Sequence, residues 1–275
     1  MFPWVLTGIM FVLLFGKPIA LLARDWWTDP ESGHGLLLAP AAIWLAWKSG
    51  LRPDRRPMPL LGLALLGMAV LLRLAAELAA ELFVMRFSLV LALAGLVVFY
   101  CGVRQALSWW LPFVLLTLSI PLPELVRSAM ALPLQFRASA IGASLLEWRH
   151  IPVELVGNVI QLPGQRLFVT EACSGLRSLT ALLSVALLMG ALWLRLPLLR
   201  VLLIALAIPI AVLINGVRVF LTGFLVFFVD PKLGEGFLHL TEGWLLFVVS
   251  FALVGATAWL LSFLDGWWTR RGRLA

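Results

Sequence analysis

The chain has 275 residues, 62% of them hydrophobic and only 13% charged, and its mean hydropathy is +1.03. Soluble domains average about 45–50% apolar and about 25% charged residues, so this composition excludes a soluble globular protein and indicates an integral membrane protein. The net charge of +7 comes from basic residues in short loops and at the C-terminus, which is the pattern of topology signals and lipid-headgroup contacts rather than of a nucleic-acid surface.

A crossing of the hydrocarbon needs about 20 mainly apolar residues. Such runs occupy 3–22, 35–50, 59–80, 84–103, 106–121, 175–194, 198–228 and 240–264, eight in all. The first lacks a basic leader and a small-residue cleavage site, so it is expected to be a retained span rather than a signal peptide. The second run is short. The seventh is long and contains Pro209 and Asn215-Gly216, which predict a bend or break. Lys48, Arg52, Arg55 and Arg56 follow the second run and Arg104 follows the fourth. Arg195 and Arg200 lie between the sixth and seventh, and Arg270, Arg271 and Arg273 close the chain. With eight spans these basic sites share one side, which the positive-inside rule makes the cytoplasm.

Residues 122–172 form the long connection between the fifth and sixth runs and are expected to cap the outer face. Leu125 to Trp148 is amphipathic, with Arg127, Arg137, Glu147 and the following Arg149 among apolar residues, and suits a helix lying in the interface. Ile151 to Thr170 is rich in β-branched residues and carries turn signals at Gly157-Asn158 and Pro163-Gly164. It predicts a small hairpin or a pair of extended strands. The expected fold is therefore a single all-α membrane domain over 1–275, with about eight transmembrane helices and a small cap holding an interfacial helix and a short β-like segment.

The polar residues that call for an explanation gather on the expected outer face. Cys173 sits where a polar segment enters the sixth run, and Arg177 follows one helical turn later. A thiol at a helix start has its thiolate favoured by the helix dipole and by nearby cations. Arg218 lies in the outer half of the seventh run, His239 near the outer start of the eighth, and His34 at the start of the second. A thiol, an imidazole and a guanidinium at one surface meet the needs of cysteine nucleophilic catalysis. Taken singly, each has a plainer reading. Arg218 also fits a side chain snorkelling to the headgroups, His239 an interfacial residue, Arg177 a partner of loop carbonyls, and His34, between two glycines, a packing position. Glu171 and Glu242 fit either an orienting role or solvent exposure. Cys101 lies at the cytoplasmic end of the fourth run, so a disulfide with Cys173 would have to cross the membrane. Two cysteines make no disulfide framework, and no metal ion or organic cofactor is expected.

The segment Glu171-Ala172-Cys173-Ser174-Gly175-Leu176-Arg177-Ser178-Leu179 closely resembles the signature of the exosortases, the bacterial branch of the exosortase/archaeosortase family. Ser32-Gly33-His34-Gly35-Leu36 resembles that family's N-terminal Ser-His-Gly segment, with Gly33 interposed. Ile151-Pro152-Val153 and Gly157-Asn158-Val159-Ile160 resemble its strand-like stretch before the cysteine. Ile208-Pro209-Ile210-Ala211 with Asn215 and Arg218 resembles its arginine-bearing helix, and His239 with Glu242-Gly243-Trp244 its histidine motif. The resemblance implies a multi-spanning cysteine transpeptidase in the bacterial inner membrane with its site on the outer, periplasmic face. Cys173 would be the nucleophile, Arg218 and His239 would complete the catalytic set, and Glu171, Arg177, Asn215 and His34 would support it. It also implies substrates that are secreted proteins ending in a Pro-Glu-Pro-type motif, one transmembrane helix and a basic tail. A glycan or lipid on the outer face would accept the acyl group, and no further soluble domain is expected. Two other readings stand beside it: a purely hydrolytic cysteine protease, and a transport or export protein for polysaccharide whose intramembrane Arg73, Arg86 and Arg218 line a pathway.

Overall fold

The computed structural model describes residues 2–29, 32–170, 175–229 and 237–271. The protein is 79% helical, which bears out the all-α membrane class, and among the described residues seven helices are long and apolar enough to cross a membrane. It divides into two compact units, Met1–Pro123 and Glu124–Ala275.

The first unit contains α1 (Phe2–Thr28), α2 (Gly35–Ser49), α3 (Pro59–Leu78), α4 (Leu82–Cys101), α5 (Val103–Ser108) and α6 (Trp110–Leu118). α3 and α4 form a tight antiparallel hairpin. A Cβ on Gly62 would come within 2.5 Å of the Phe99 backbone, and one on Gly95 within 3.1 Å of Leu66. Small residues let helices approach this closely where lipid supplies no hydrophobic drive between them. The run at 106–121 is broken at Trp109, which divides α5 from α6, and α2 has only 15 residues. These two short elements run antiparallel. His34 Nε2 lies 3.1 Å from the Leu118 carbonyl at one end, and Gln105 Nε2 donates to the Gly50 carbonyl at the other. Arg86, 5% exposed, is paired with Asp25 of α1, while Glu77 takes both Lys17 and Arg73. A charge inside an apolar segment is tolerated when another group of the protein meets it.

The second unit contains α7 (Glu124–Trp148), β1 (Glu154–Val156), β2 (Val159–Leu162), β3 (Gln165–Phe168), α8 (Leu176–Trp193), α9 (Pro197–Phe228) and α10 (Phe237–Arg271). The extended segment makes three strands rather than two, an antiparallel meander of order β1-β2-β3. Both sequence turn signals sit at its reversals. Gly157 at φ +64° without a positive φ at Asn158 has the glycine-first pattern of a type II′ turn, and Pro163 followed by Gly164 at φ +82° that of a type II turn.

Two features depart from the sequence expectation. α9 is one continuous helix of 32 residues with Pro209 inside it, so the chain is not broken there. Proline removes one backbone bond, but Ala207 and Ala211 on either side are buried in a shared core with α8 and α10, and that packing carries the helix through. α7, expected in the interface, is a 25-residue helix with the length and composition of a crossing. It packs along the second half of α9. Gly142 meets Val219, Gly216 meets Ile141, and Gly223 meets Leu146; because the numbers rise together, the two helices run parallel. The amphipathic pattern reflects a face of small residues, with Ala131, Ala138 and Gly142 buried, turned to a neighbouring helix.

α9 therefore serves two cores. Its first half packs Leu203, Ala207 and Ala211 with Leu182 and Ala186 of α8 and Val254 and Ala258 of α10. Its second half packs Val219 and Val226 with Ala138 and Leu146 of α7 and Ile160 and Leu162 of β2. Asp265 of α10, 4% exposed, accepts the amides of Arg195 and Leu196 at 2.8 and 3.0 Å. These precede the first turn of α9, where backbone donors lack intrahelical partners.

Candidate active site

Cys173 and Glu171 lie in residues 171–174, outside the described residues, but the chain on both sides of them is fixed. Upstream, Val169 is buried, and Asn158 holds it from both directions. The Val169 amide donates to the Asn158 carbonyl at 3.0 Å, and Asn158 Nδ2 donates to the Val169 carbonyl at 3.0 Å. Asn158 Nδ2 also reaches Gln135 of α7 at 3.3 Å. The turn that closes β1 on β2 thus anchors the strand leading to the cysteine segment.

Downstream, Gly175 is buried at the N-cap of α8 with φ +77° and ψ 5°. That left-handed conformation costs an L-residue with a side chain roughly 1–2 kcal/mol. A Cβ there would also meet Asn215 Cγ at 2.6 Å, so the backbone of α8 enters in contact with the Asn215 carboxamide. Only glycine satisfies both requirements, which gives this position of the motif a physical basis.

Asn215 is 5% exposed and stands one helical turn before Arg218 on α9. Arg218, Asn215, Ser178 of α8 and Ser250 of α10 contribute polar groups to a small pocket that Ala211, Ile214, Leu246 and Phe247 close with apolar surface. Residues 211, 214, 215 and 218 recur at i, i+3, i+4 and i+7, a single stripe of α9. Thr222 continues this face one turn on, is 4% exposed, and donates its hydroxyl to the Arg218 carbonyl at 3.0 Å.

His239 is the third residue of α10, and its side chain lies outside the described part of the structure. Its backbone position is informative. Residues 239, 246 and 250 are related by i, i+7 and i+11, so the helical repeat puts position 239 on the stripe that bears two pocket residues, two turns nearer the N-terminus. Arg177, the second residue of α8, is exposed. His34 belongs to the first unit, where its ring nitrogen meets the Leu118 carbonyl and a Cβ on neighbouring Gly35 would run into the Trp26 ring. Cys101, at the end of α4, is a free thiol. Among the described residues no group of His, Cys, Asp and Glu is arranged to hold a metal ion.

The structure thus brings together Asn215 and Arg218 among the residues singled out from sequence, and adds Ser178, Ser250 and Thr222. Ser178 was inside the cysteine signature, and only its contact across to α9 marks it. Ser250 and Thr222 are single hydroxyls in apolar runs. Helical spacing from His239 and from Arg218 was the signal available for them.

No curated protein and no solved structure matches the chain. A family model for transmembrane exosortases matches residues 26–256, a stretch that takes in the cysteine signature, the pocket-bearing half of α9, position 239, and most of the first unit. On that match, the chain belongs to the transmembrane exosortase family, as a multi-pass membrane protein concerned with the sorting of secreted proteins.

Proposed function

We propose that this protein is a cysteine transpeptidase that cleaves the C-terminal sorting signal of secreted proteins and transfers the new C-terminus to an acceptor on the outer face of the inner membrane. The observation that carries this reading is the seating of Gly175 against Asn215. Cys173 is two residues from Gly175, and two residues of chain span at most about 7 Å, a reach that supports pairing the thiol with the Arg218 face of α9. Position 239 shares its α10 stripe with the residues that line the Arg218 pocket.

In the proposed reaction the Cys173 thiolate attacks the scissile carbonyl carbon. A C–S bond forms, and Arg218 donates to the resulting oxyanion or orients the substrate. The tetrahedral species collapses with cleavage of the C–N bond, and the His239 imidazolium gives its proton to the departing amine of the tail peptide. The thioester remains on Cys173. An acceptor amine, on an outer-face glycan or lipid, then attacks it and loses its proton to His239. The new C–N bond forms, the C–S bond breaks, and the thiolate returns. Asn215 holds the entry of α8, and Arg177 and Glu171 flank the cysteine within substrate reach. The substrate class is a secreted protein with a motif, a membrane helix and a basic tail, delivered within the bilayer.

Co-expression of such a substrate with the Cys173→Ala chain tests the proposal. The variant should accumulate in membranes at the wild-type level and leave the substrate tail uncut, and normal processing would sink the assignment. Mass spectrometry of the wild-type product separates transfer from hydrolysis, since an added mass marks an acceptor and a free carboxylate marks water. The transport reading loses support from the first unit. Arg73 and Arg86 each have a carboxylate partner there, which accounts for these charges without a pathway.

A further inference from the structure

One end of the first unit concentrates positive charge on a built scaffold. The last turn of α2 carries Lys48, the α2–α3 loop carries Arg52, Arg55 and Arg56, and the α4–α5 junction adds Arg104, all of them exposed. The loop is pinned to that junction. Gln105, 0% exposed, accepts the Arg52 amide at 2.8 Å and donates to the Gly50 carbonyl at 3.2 Å. The Trp109 indole donates to the same carbonyl at 3.2 Å, and the Met58 amide bonds the Val98 carbonyl at 3.2 Å.

Asp54 is the one acidic residue of the 48–58 loop. It accepts Arg52 at 2.8 Å and Arg104 at 3.3 Å, and its hydrogen bond with Arg52 holds the carboxyl below the ordinary aspartate range. Five cations against one fixed anion leave a surplus of positive charge, and Arg55 and Arg56 have no ion pair among the described residues. Trp47 is 81% exposed and Trp110 46% at the ends of apolar helices, where amphipathic rings sit at headgroup level.

We infer that this basic, tryptophan-flanked loop is a docking surface for the headgroup of an anionic phospholipid, with Arg55 and Arg56 as its free cations. Charge complementarity and position both select that occupant. Arg52, Arg55, Arg56 and Arg104 lie just outside the start of α3 and the end of α4, both long enough to cross a bilayer, which is the level of lipid phosphates, and Gln105 fixes the loop. Each Lys or Arg near an anionic membrane contributes roughly five-fold to affinity.

The test titrates short-chain phosphatidylglycerol or phosphatidylcholine into the full chain in non-ionic detergent and counts bound lipid by native mass spectrometry. Wild type should prefer phosphatidylglycerol at 0.15 M salt and lose much of that preference at about 1 M, where screening reaches about 3 Å. The Arg55→Gln/Arg56→Gln variant should bind phosphatidylglycerol roughly 25-fold more weakly and phosphatidylcholine unchanged. Arg55→Lys/Arg56→Lys should keep most of the binding. Equal wild-type affinity for the two lipids, or undiminished binding by the double Gln variant, would overturn the proposal. Displacement of phosphatidylglycerol by millimolar inorganic phosphate would also overturn it, in favour of a free-anion site. The wild-type salt series stands on its own if a variant fails to fold.

Discussion

Gly175 shows how one residue can couple a motif to a fold. Its positive φ and its contact with Asn215 are separate constraints, and alanine violates both. Gly175→Ala should destabilise the protein by about 1–3 kcal/mol, the usual cost of a non-glycine residue held in a sparsely populated conformation. It should also lower substrate cleavage by roughly ten-fold or more, because a small displacement of a nucleophile costs about two decades of rate. Thermal unfolding in detergent and a membrane cleavage assay measure the two effects. Adding Asn215→Ala should remove the two closest clashes but keep the Asn215 Cβ at 2.9 Å and the backbone part, so stability should recover only partly. A Gly175→Ala chain as stable and active as wild type would refute the account. The sequence identified Gly175 as part of a signature. It did not reveal that Asn215, forty residues later, is what the glycine packs on, because that proximity depends on the antiparallel registry of α8 and α9.

At the scale of elements, the apolar runs were legible because length and hydropathy dictate them. α1, α3, α4, α8, α9 and α10 follow their predicted runs closely. The errors came where one pattern serves two structures. A helix with basic residues among apolar ones suits both a membrane surface and a packed neighbour; α7 buries small residues against α9 and has the length and composition of a crossing. Pro209 predicted a break from a purely local argument, and packing on both sides of α9 overrode it. The three strands exceeded the predicted pair because Gln165–Phe168 pairs back on β2 after the Pro163-Gly164 turn. No periodicity pointed to Asp265. It ends up within the α10 helix with both carboxylate oxygens on the amides that lead into α9. Asp265→Ala should therefore cost about 1.5–3 kcal/mol, the range for buried hydrogen bonds to a charged group, and chemical unfolding in mixed micelles checks it. The effect should be on stability alone, since Asp265 is about four turns of α10 away from Ser250, the nearest pocket residue on that helix.

For the molecule as a whole, the candidate site was legible only in part. Cysteine, arginine and histidine could be picked out because each is rare in apolar sequence. Their hydroxyl neighbours, Ser178, Ser250 and Thr222, stood out far less, since serine and threonine in membrane helices commonly bond their own backbone. All three core-lining segments of the pocket meet through α9, which belongs to both hydrophobic cores of the second unit. Native-state hydrogen exchange should accordingly give amides of residues 203–211 and 219–226 a shared opening free energy. A gap of more than about 2 kcal/mol between them would show that the two cores open independently. The unbroken run of α9 also has a mechanical meaning. A helix interrupted at Pro209 or at Asn215-Gly216 would let the sheet and α7 swing as a lid on a joint. Because α9 runs as one helix through both points, Arg218 and the residues that carry the sheet and α7 belong to a single element, and a shift of its second half would carry Arg218 with the sheet.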